Sequence, residues 1–307
     1  MFSRTNKPIK PRALKKGDTI RIVAPSSPFE KQPFWNGVTV LENLGFRVTY
    51  NESIFSKIPY LAGTDERRAR EFIDALEEST SQAVLFARGG YGAMRLLPWL
   101  DKYLKNPVSK IVLGFSDVSC LLIYLMQKHH WVTFYGPVVA KEISVHHPQT
   151  IGSLTEQLSG YGNTHTYNTP GLITISEGQV TAPLVGGCLS LITSLLGTPY
   201  ELDTKNKILF LEDTNEKPYE VDRLLTHLKL AGKLTTCKGL VFGTFSGPNP
   251  HEHYIETIRD VTRDLSIPIV YGFPSGHTAP KVTLPLGIGV TLNATDKTLT
   301  LLEPALA

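Results

Sequence analysis

Cysteine is scarce in this 307-residue chain: Cys120, Cys188 and Cys237 are widely spaced and odd in number. With no C-x-x-C pair, neither a disulfide framework nor a cysteine-based zinc or redox centre is expected, and the thiols are read as reduced and structural. Long apolar runs are also missing. No stretch of about 18 apolar residues is present, as a membrane-spanning helix requires, and the opening MFSRTNKPIKPRALKKGD lacks the apolar centre of a secretory signal. A cytoplasmic location with no membrane partner is expected. Nor is charge of one sign in excess: the formal net charge is +3, and no basic stripe with interleaved aromatics marks a nucleic-acid surface. The short basic run at 7–16 is read as a solvated arm. Repeats and low-complexity tracts are lacking, and 41% hydrophobic against 19% charged residues is a globular composition, enough for one large domain or, better, two.

What is present is an alternation of strand-like and helix-like segments. Strands are expected at 19–24, 47–50, 83–87 and 110–113, with helices at about 34–44, 66–77 and 117–128. Such alternation predicts α/β architecture with a parallel, flavodoxin-like sheet in an N-terminal domain, residues 1–150. Residues 151–178, rich in Gly, Pro, Thr, Ser and Asn and weakly periodic, read as an inter-domain connection outside the core. Residues 179–307 read as a mixed α/β, β-rich C-terminal domain: helices at 188–196, 220–231 and 254–265, strands at 207–212, 239–245 and 269–271, and hairpins over 281–302.

Three strands end in turn-rich segments, Pro25-Ser26-Ser27-Pro28, Arg88-Gly89-Gly90-Tyr91-Gly92 and Gly114-Phe115-Ser116-Asp117. Ligands of open parallel sheets bind outside the carboxyl ends of the strands, so the three are expected to meet at one crevice. Ser116 has two readings. It is placed to cap the following helix, or to act as a nucleophile beside free backbone N–H groups at a helix start. The hydrolase elbow G-x-S-x-G is not matched, because Val118 stands at its last position. A serine nucleophile needs a base and an orienting carboxylate. His277, after the glycine in Gly272-Phe273-Pro274-Ser275-Gly276, and Glu212, at the end of an apolar strand, suit these roles, with Asp213 and Glu216 competing with Glu212. A loop histidine and a capping or ion-paired glutamate are the plainer alternatives. His251 and His253, in a Pro/Gly-rich loop, are weak metal candidates, and no metal or cofactor is expected. The glycine loop could cradle a phosphate or sugar, but no Gly-Lys-Ser/Thr follows it, so it fails the nucleotide patterns.

The blocks Gly17-Asp18 with Ala24-Pro25-Ser26, Leu61-Ala62-Gly63-Thr64-Asp65 with Arg68, Arg88-Gly89-Gly90-Tyr91-Gly92, Gly114-Phe115-Ser116-Asp117, Gly186-Gly187 with Gly197-Thr198-Pro199, Leu211-Glu212-Asp213 with Glu216, and Gly276-His277 before Thr283-Leu284-Pro285 occur in this order along nearly the whole chain. The sequence resembles the LD-carboxypeptidase family of serine peptidases, which includes muramoyltetrapeptide carboxypeptidase and the microcin C self-immunity peptidase. That resemblance implies a Ser-Glu-His triad falling on Ser116, Glu212 and His277, at the junction of two domains. It also implies backbone oxyanion donors at Gly89 or Gly90 and at Asp117, a homodimer, and release of terminal D-alanine from cytoplasmic murein tetrapeptides in cell-wall recycling. A carboxypeptidase must also hold the substrate's terminal carboxylate. Arg88 is the candidate, with an ion pair inside its own loop as the alternative. The chain departs from the family pattern at Tyr135-Gly136-Pro137, where His-Gly-Pro is expected, and at Cys188, where asparagine is expected after the paired glycines. Two other functions stay open: hydrolysis of a microcin C-like peptidyl or acyl adenylate, and ligand binding without catalysis.

Overall fold

The computed structural model describes residues 7–160, 165–169, 171–247 and 249–307. The start of the expected N-terminal domain, residues 1–6, and positions 161–164 and 170 of the expected connection lie outside the described residues.

In the first half, β1 (Thr19–Val23), α1 (Lys31–Asn43), β2 (Arg47–Thr49), α2 (Asp65–Glu77), β3 (Ala83–Phe86), α3 (Leu97–Tyr103), β4 (Ile111–Gly114), α4 (Ser119–His129) and β5 (Thr133–Tyr135) follow one another. The five strands pair in parallel in the order β2-β1-β3-β4-β5, the flavodoxin-like order. Every residue of β3 and β4 is buried, as expected of strands covered on both faces. The α2 helix shows why the local sequence folds as it does. Thr64 caps it by accepting the Arg67 N–H at 3.2 Å, Asp65 and Glu66 complement its positive end, and Ala69, Phe72, Ile73 and Leu76 form its buried face.

The second half continues through α5 (Pro148–Ser159), β6 (Thr166–Asn168), β7 (Ile173–Ser176), β8 (Gln179–Cys188), α6 (Leu189–Ser194), β9 (Ile208–Glu212), α7 (Pro218–Leu230), α8 (Lys233–Thr236), β10 (Gly239–Gly243), α9 (His251–Thr262), β11 (Ile269–Phe273), β12 (Leu284–Leu286), β13 (Gly289–Asn293) and β14 (Thr298–Leu301). Eight of these strands form a second sheet, β6-β14-β13-β8-β9-β10-β11-β7, parallel from β8 to β11 and antiparallel outside them. The fold is thus mixed α/β with two sheets. The exception is β12, which leaves its sequence neighbours and pairs antiparallel with β5 of the first sheet, Leu284 opposite Tyr135. The segment between β11 and β12 therefore runs from one sheet to the other, and it carries His277.

Two readings differ from the structure, and one strand, β8, had no counterpart among the expected elements. Residues 151–178, expected to be connection outside the core, contain most of α5 and the edge strands β6 and β7, and they bury Leu154, Leu158, Tyr167 and Leu172. Their Thr and Ser content suits half-buried edge strands too short to show a period. The β8 strand, ending in Gly186-Gly187-Cys188, lies in the middle of the second sheet. Its glycines are required there, since a Cβ at Gly186 would collide with the Phe210 carbonyl and the residue sits at φ +142°. Finally, His251 and His253 open the α9 helix instead of lying in a loop, and the His251 ring meets the Tyr271 hydroxyl at 3.0 Å.

Candidate active site

The loops following β1, β3 and β4 meet as the strand-end rule requires. The first two are drawn together by Arg68, a wholly buried guanidinium that donates to the carbonyls of Pro25, Gly92 (2.9 Å) and Gly63 (3.2 Å) and pairs with Asp65. Burial pushes its pKa down, opposed by Asp65. Such a charge is tolerable only because its donors are occupied. Arg68 was legible only as part of a sequence block, with no hint of this stapling role.

Ser116 sits just after β4 with φ +67°, a left-handed conformation unusual for a residue bearing a Cβ. A non-glycine residue held there stores on the order of 1 kcal/mol or more, and such strain concentrates at functional sites. The capping reading of Ser116 does not describe the structure, because one turn of 3₁₀ helix, Ser116–Val118, precedes α4 and no side chain caps either element. The turn is fixed by its neighbours. Ser119 Oγ donates to the Ser116 carbonyl at 2.5 Å and accepts the Cys188 N–H at 3.2 Å, so the turn is joined to the end of β8. The buried Asp117 carboxylate accepts the Ala93 N–H at 2.8 Å and so holds the turn against the segment after the glycine loop. Burial pushes its pKa up, with that N–H and Arg68 opposing.

Gly89 lies directly against the serine, and a Cβ there would stand 3.1 Å from Ser116 Cβ and 3.4 Å from its Oγ. Gly90 adopts φ +110° above Ser27, whose Oγ accepts the Tyr91 N–H at 3.0 Å. Arg88 is exposed, and its Nη1 donates to the Pro28 carbonyl at 2.8 Å. No carboxylate among the described residues pairs with it, so the alternative of an ion pair within the loop does not apply.

On the opposite side, Glu212 ends β9 with its side chain fully buried. Its Oε2 accepts both the His277 Nδ1 and the His277 backbone N–H, each at 2.8 Å, while its Oε1 accepts the Tyr135 hydroxyl at 2.5 Å. Burial alone would raise the carboxyl pKa, but the bonds and charge of His277 and the Tyr135 hydroxyl outweigh it and hold the group below its usual value. Gly276 is indispensable to this packing, because a Cβ there would occupy the space of the Glu212 carboxylate. Of the competitors, Asp213 turns away to accept the N–H groups of Ser190 (2.7 Å) and Thr214 (2.9 Å). Glu216 contributes its carbonyl to the Tyr254 hydroxyl at 2.9 Å.

Ser116, His277, Arg88, Gly89 and Gly90 all line one cleft of about 530 Å³. Tyr135 and Lys281 were not selected from the sequence as site residues. Lys281 is buried, its Nζ 3.0 Å from the centre of the Phe115 ring and 3.3 Å from Glu142. The Phe115 ring also meets the His277 ring, centre to centre 4.8 Å. Burial lowers the Lys281 pKa to about 8.

Residues 20–136 match the model of the LD-carboxypeptidase N-terminal domain, and residues 181–292 match that of the LD-carboxypeptidase C-terminal domain. The chain belongs to the LD-carboxypeptidase family. Its relatives in that family include the "Probable murein peptide carboxypeptidase" of Bacillus subtilis, 35% identical over 296 residues that cover 94% of this chain and 93% of the relative. The microcin C7 self-immunity protein MccF of Escherichia coli is 27% identical over 340 residues, covering 98% and 97%. A solved structure of MccF with glutamyl sulfamoyl guanosine superimposes with a TM-score of 0.89 at 25% identity, over 98% of this chain and 100% of that one. As a member of this peptidase family, the chain has a mixed α/β fold with two sheets; Ser116 falls within the N-terminal match, Glu212 and His277 fall within the C-terminal match, and Ser116 and His277 line one cleft.

Proposed function

We propose that this protein is a serine-type LD-carboxypeptidase that releases terminal D-alanine from murein tetrapeptides. The observation that carries the proposal is the Glu212–His277 pair, facing the cleft that also contains Ser116 in its left-handed turn. With Nδ1 donating to Glu212, the neutral imidazole presents Nε2 as acceptor toward the cleft. There it takes the Ser116 proton as Oγ attacks the carbonyl preceding the D-residue. Glu212, kept ionised by its three donors, stabilises the imidazolium that forms. Backbone N–H groups of Asp117 and of Gly89 or Gly90 hold the oxyanion. His277 then protonates the departing D-alanine, and water attacks the acyl-enzyme with the same groups in reversed roles. The exposed Arg88, on the cleft wall beside Gly89, binds the terminal carboxylate.

The similarity to MccF over the whole chain supports a second reading, hydrolysis of a peptidyl or acyl adenylate. Mass spectrometry of products from murein tri-, tetra- and pentapeptides, alongside an aminoacyl sulfamoyl or phosphoramidate nucleotide, separates the two. Release of a single D-alanine from the tetrapeptide alone is the expected result, whereas turnover confined to the nucleotide conjugate supports the second reading. A non-catalytic binding protein would bind tetrapeptide without reacting with a fluorophosphonate probe.

A further inference from the structure

Tyr135 ends the short strand β5 and stands where the family pattern leads one to expect histidine. It is completely buried, packed edge-on against Phe210 and Phe115 with ring centres 5.5 Å and 6.2 Å away. Its hydroxyl touches both halves of the proposed machinery. It donates to Glu212 Oε1 at 2.5 Å and accepts the backbone N–H of Ser116 at 3.2 Å. Burial and the neighbouring Glu212 raise its pKa well above the usual phenol value, so the hydroxyl keeps its proton and its role as donor to the carboxylate. One oxygen therefore links the first sheet's nucleophile turn to the second sheet's carboxylate. The Ser116 N–H is also committed to Tyr135, which leaves the oxyanion to other amides.

We propose that Tyr135 is a positioning residue that holds Ser116 and the Glu212–His277 pair in register and tunes the basicity of His277. This rests on the serine mechanism proposed above. The hydrogen bond from Tyr135 is strongest when Glu212 faces neutral His277, and weaker when the imidazolium already neutralises the carboxylate. Tyr135 thus favours neutral His277, the form that accepts the serine proton. It also favours a fixed distance between a serine on one sheet and a histidine on a loop strung between the two.

The test is Tyr135→Phe, which preserves the ring and removes only the bridging oxygen. Rates of D-alanine release from tetrapeptide are expressed per serine reactive toward a fluorophosphonate, so that misfolded protein does not count. The expected result is a kcat about tenfold lower with KM changed less than twofold, together with an acid limb of kcat/KM displaced upward by about half a pH unit. The His277 ring, followed by NMR titration in a Ser116→Ala background with and without Tyr135→Phe, should show the same upward displacement without any turnover. A role in packing alone would lower the fraction of reactive enzyme and leave the per-site rate and both titrations unmoved, and that outcome overturns the proposal. Ser116→Ala assayed in parallel distinguishes the two readings. If it is inactive while Tyr135→Phe equals wild type, only the role of Tyr135 fails; if it is active, the serine mechanism fails.

Discussion

Exchanging Glu212 for glutamine tests the orienting carboxylate in the most demanding way, because the two side chains have almost the same shape. Glu212 accepts three hydrogen bonds, two at Oε2 from His277 and one at Oε1 from Tyr135. An amide offers one oxygen. With its NH₂ toward His277 it confronts the backbone N–H, and the ring can meet it only by accepting at Nδ1, which moves the imidazole proton to Nε2. With its NH₂ toward Tyr135 it confronts a hydroxyl that already accepts the Ser116 N–H. The first arrangement puts the proton on the nitrogen that must receive one, a defect that costs on the order of 10⁴ in kcat in the trypsin-type triad from which that magnitude comes. Leaving one buried donor unsatisfied costs about 1–3 kcal/mol. Unfolding entropy near 2.1 cal/mol/K per residue gives about 0.6 kcal/mol/K for a chain of this length melting as one unit, so Tm falls by roughly 2–5 °C. Glu212→Gln should therefore be folded, a few degrees less stable and slower in D-alanine release by about four orders of magnitude. Glu216→Gln should stay within about threefold of wild type. A Glu212→Gln enzyme within tenfold of wild type, or a collapse of activity in Glu216→Gln, would refute this assignment.

Three further outcomes follow from the same geometry. Gly276→Ala places a methyl group in the space of the Glu212 carboxylate, on a residue at φ +99°; loss of soluble expression or a Tm drop of more than about 5 °C is expected, and an unperturbed Tm contradicts the packing described. Arg88→Ala should raise KM for tetrapeptide about tenfold or more, with kcat little changed and with a smaller effect on a substrate amidated at its C-terminus; equal losses on both substrates contradict carboxylate binding. Lys281 has a folded pKa of about 8 against an ordinary 10.5, so between these values the unfolded chain holds more protons and stability from this group rises with pH. Relative to Lys281→Met, wild type should gain stability as pH increases through that window, measured by urea denaturation at several pH values, and a constant difference contradicts a buried cation at Phe115.

The parts of the molecule legible in the sequence are those that repeat a physical pattern over several residues. The β1, β3 and β4 strands are runs of β-branched and apolar residues, and α2 has a capping threonine, an acidic first turn and apolar residues at helical spacing, so both their type and their approximate limits were readable. Ser116, Glu212 and His277 were singled out because each stands at or beyond the end of a strand, and for Glu212 and His277 the structure supplies the contact that sequence could not, through an intervening glycine whose missing side chain makes room for the carboxylate. Short strands behaved differently. With three residues each, β5, β6 and β12 contain too little pattern to detect, and the passage of β12 to the first sheet depends on pairing with a residue about 150 positions away. Tyr135 was visible only as a departure from an expected histidine. A buried tyrosine is ordinary in composition, and what makes it informative is that its two hydrogen-bond partners come from distant parts of the chain. Residues 151–178 were read as lying outside the core because edge strands tolerate the Gly, Thr and Asn content that also marks loops.

The account depends most on Ser116 as the nucleophile. The direct measurement is the rate of D-alanine release from murein tetrapeptide by Ser116→Ala, with Tm and tetrapeptide binding determined on the same sample. The account predicts a loss of about 10⁴- to 10⁶-fold in kcat with folding and binding retained, too large a loss for a few kcal/mol of instability to explain. Release within tenfold of the wild-type rate by a folded Ser116→Ala protein would contradict it.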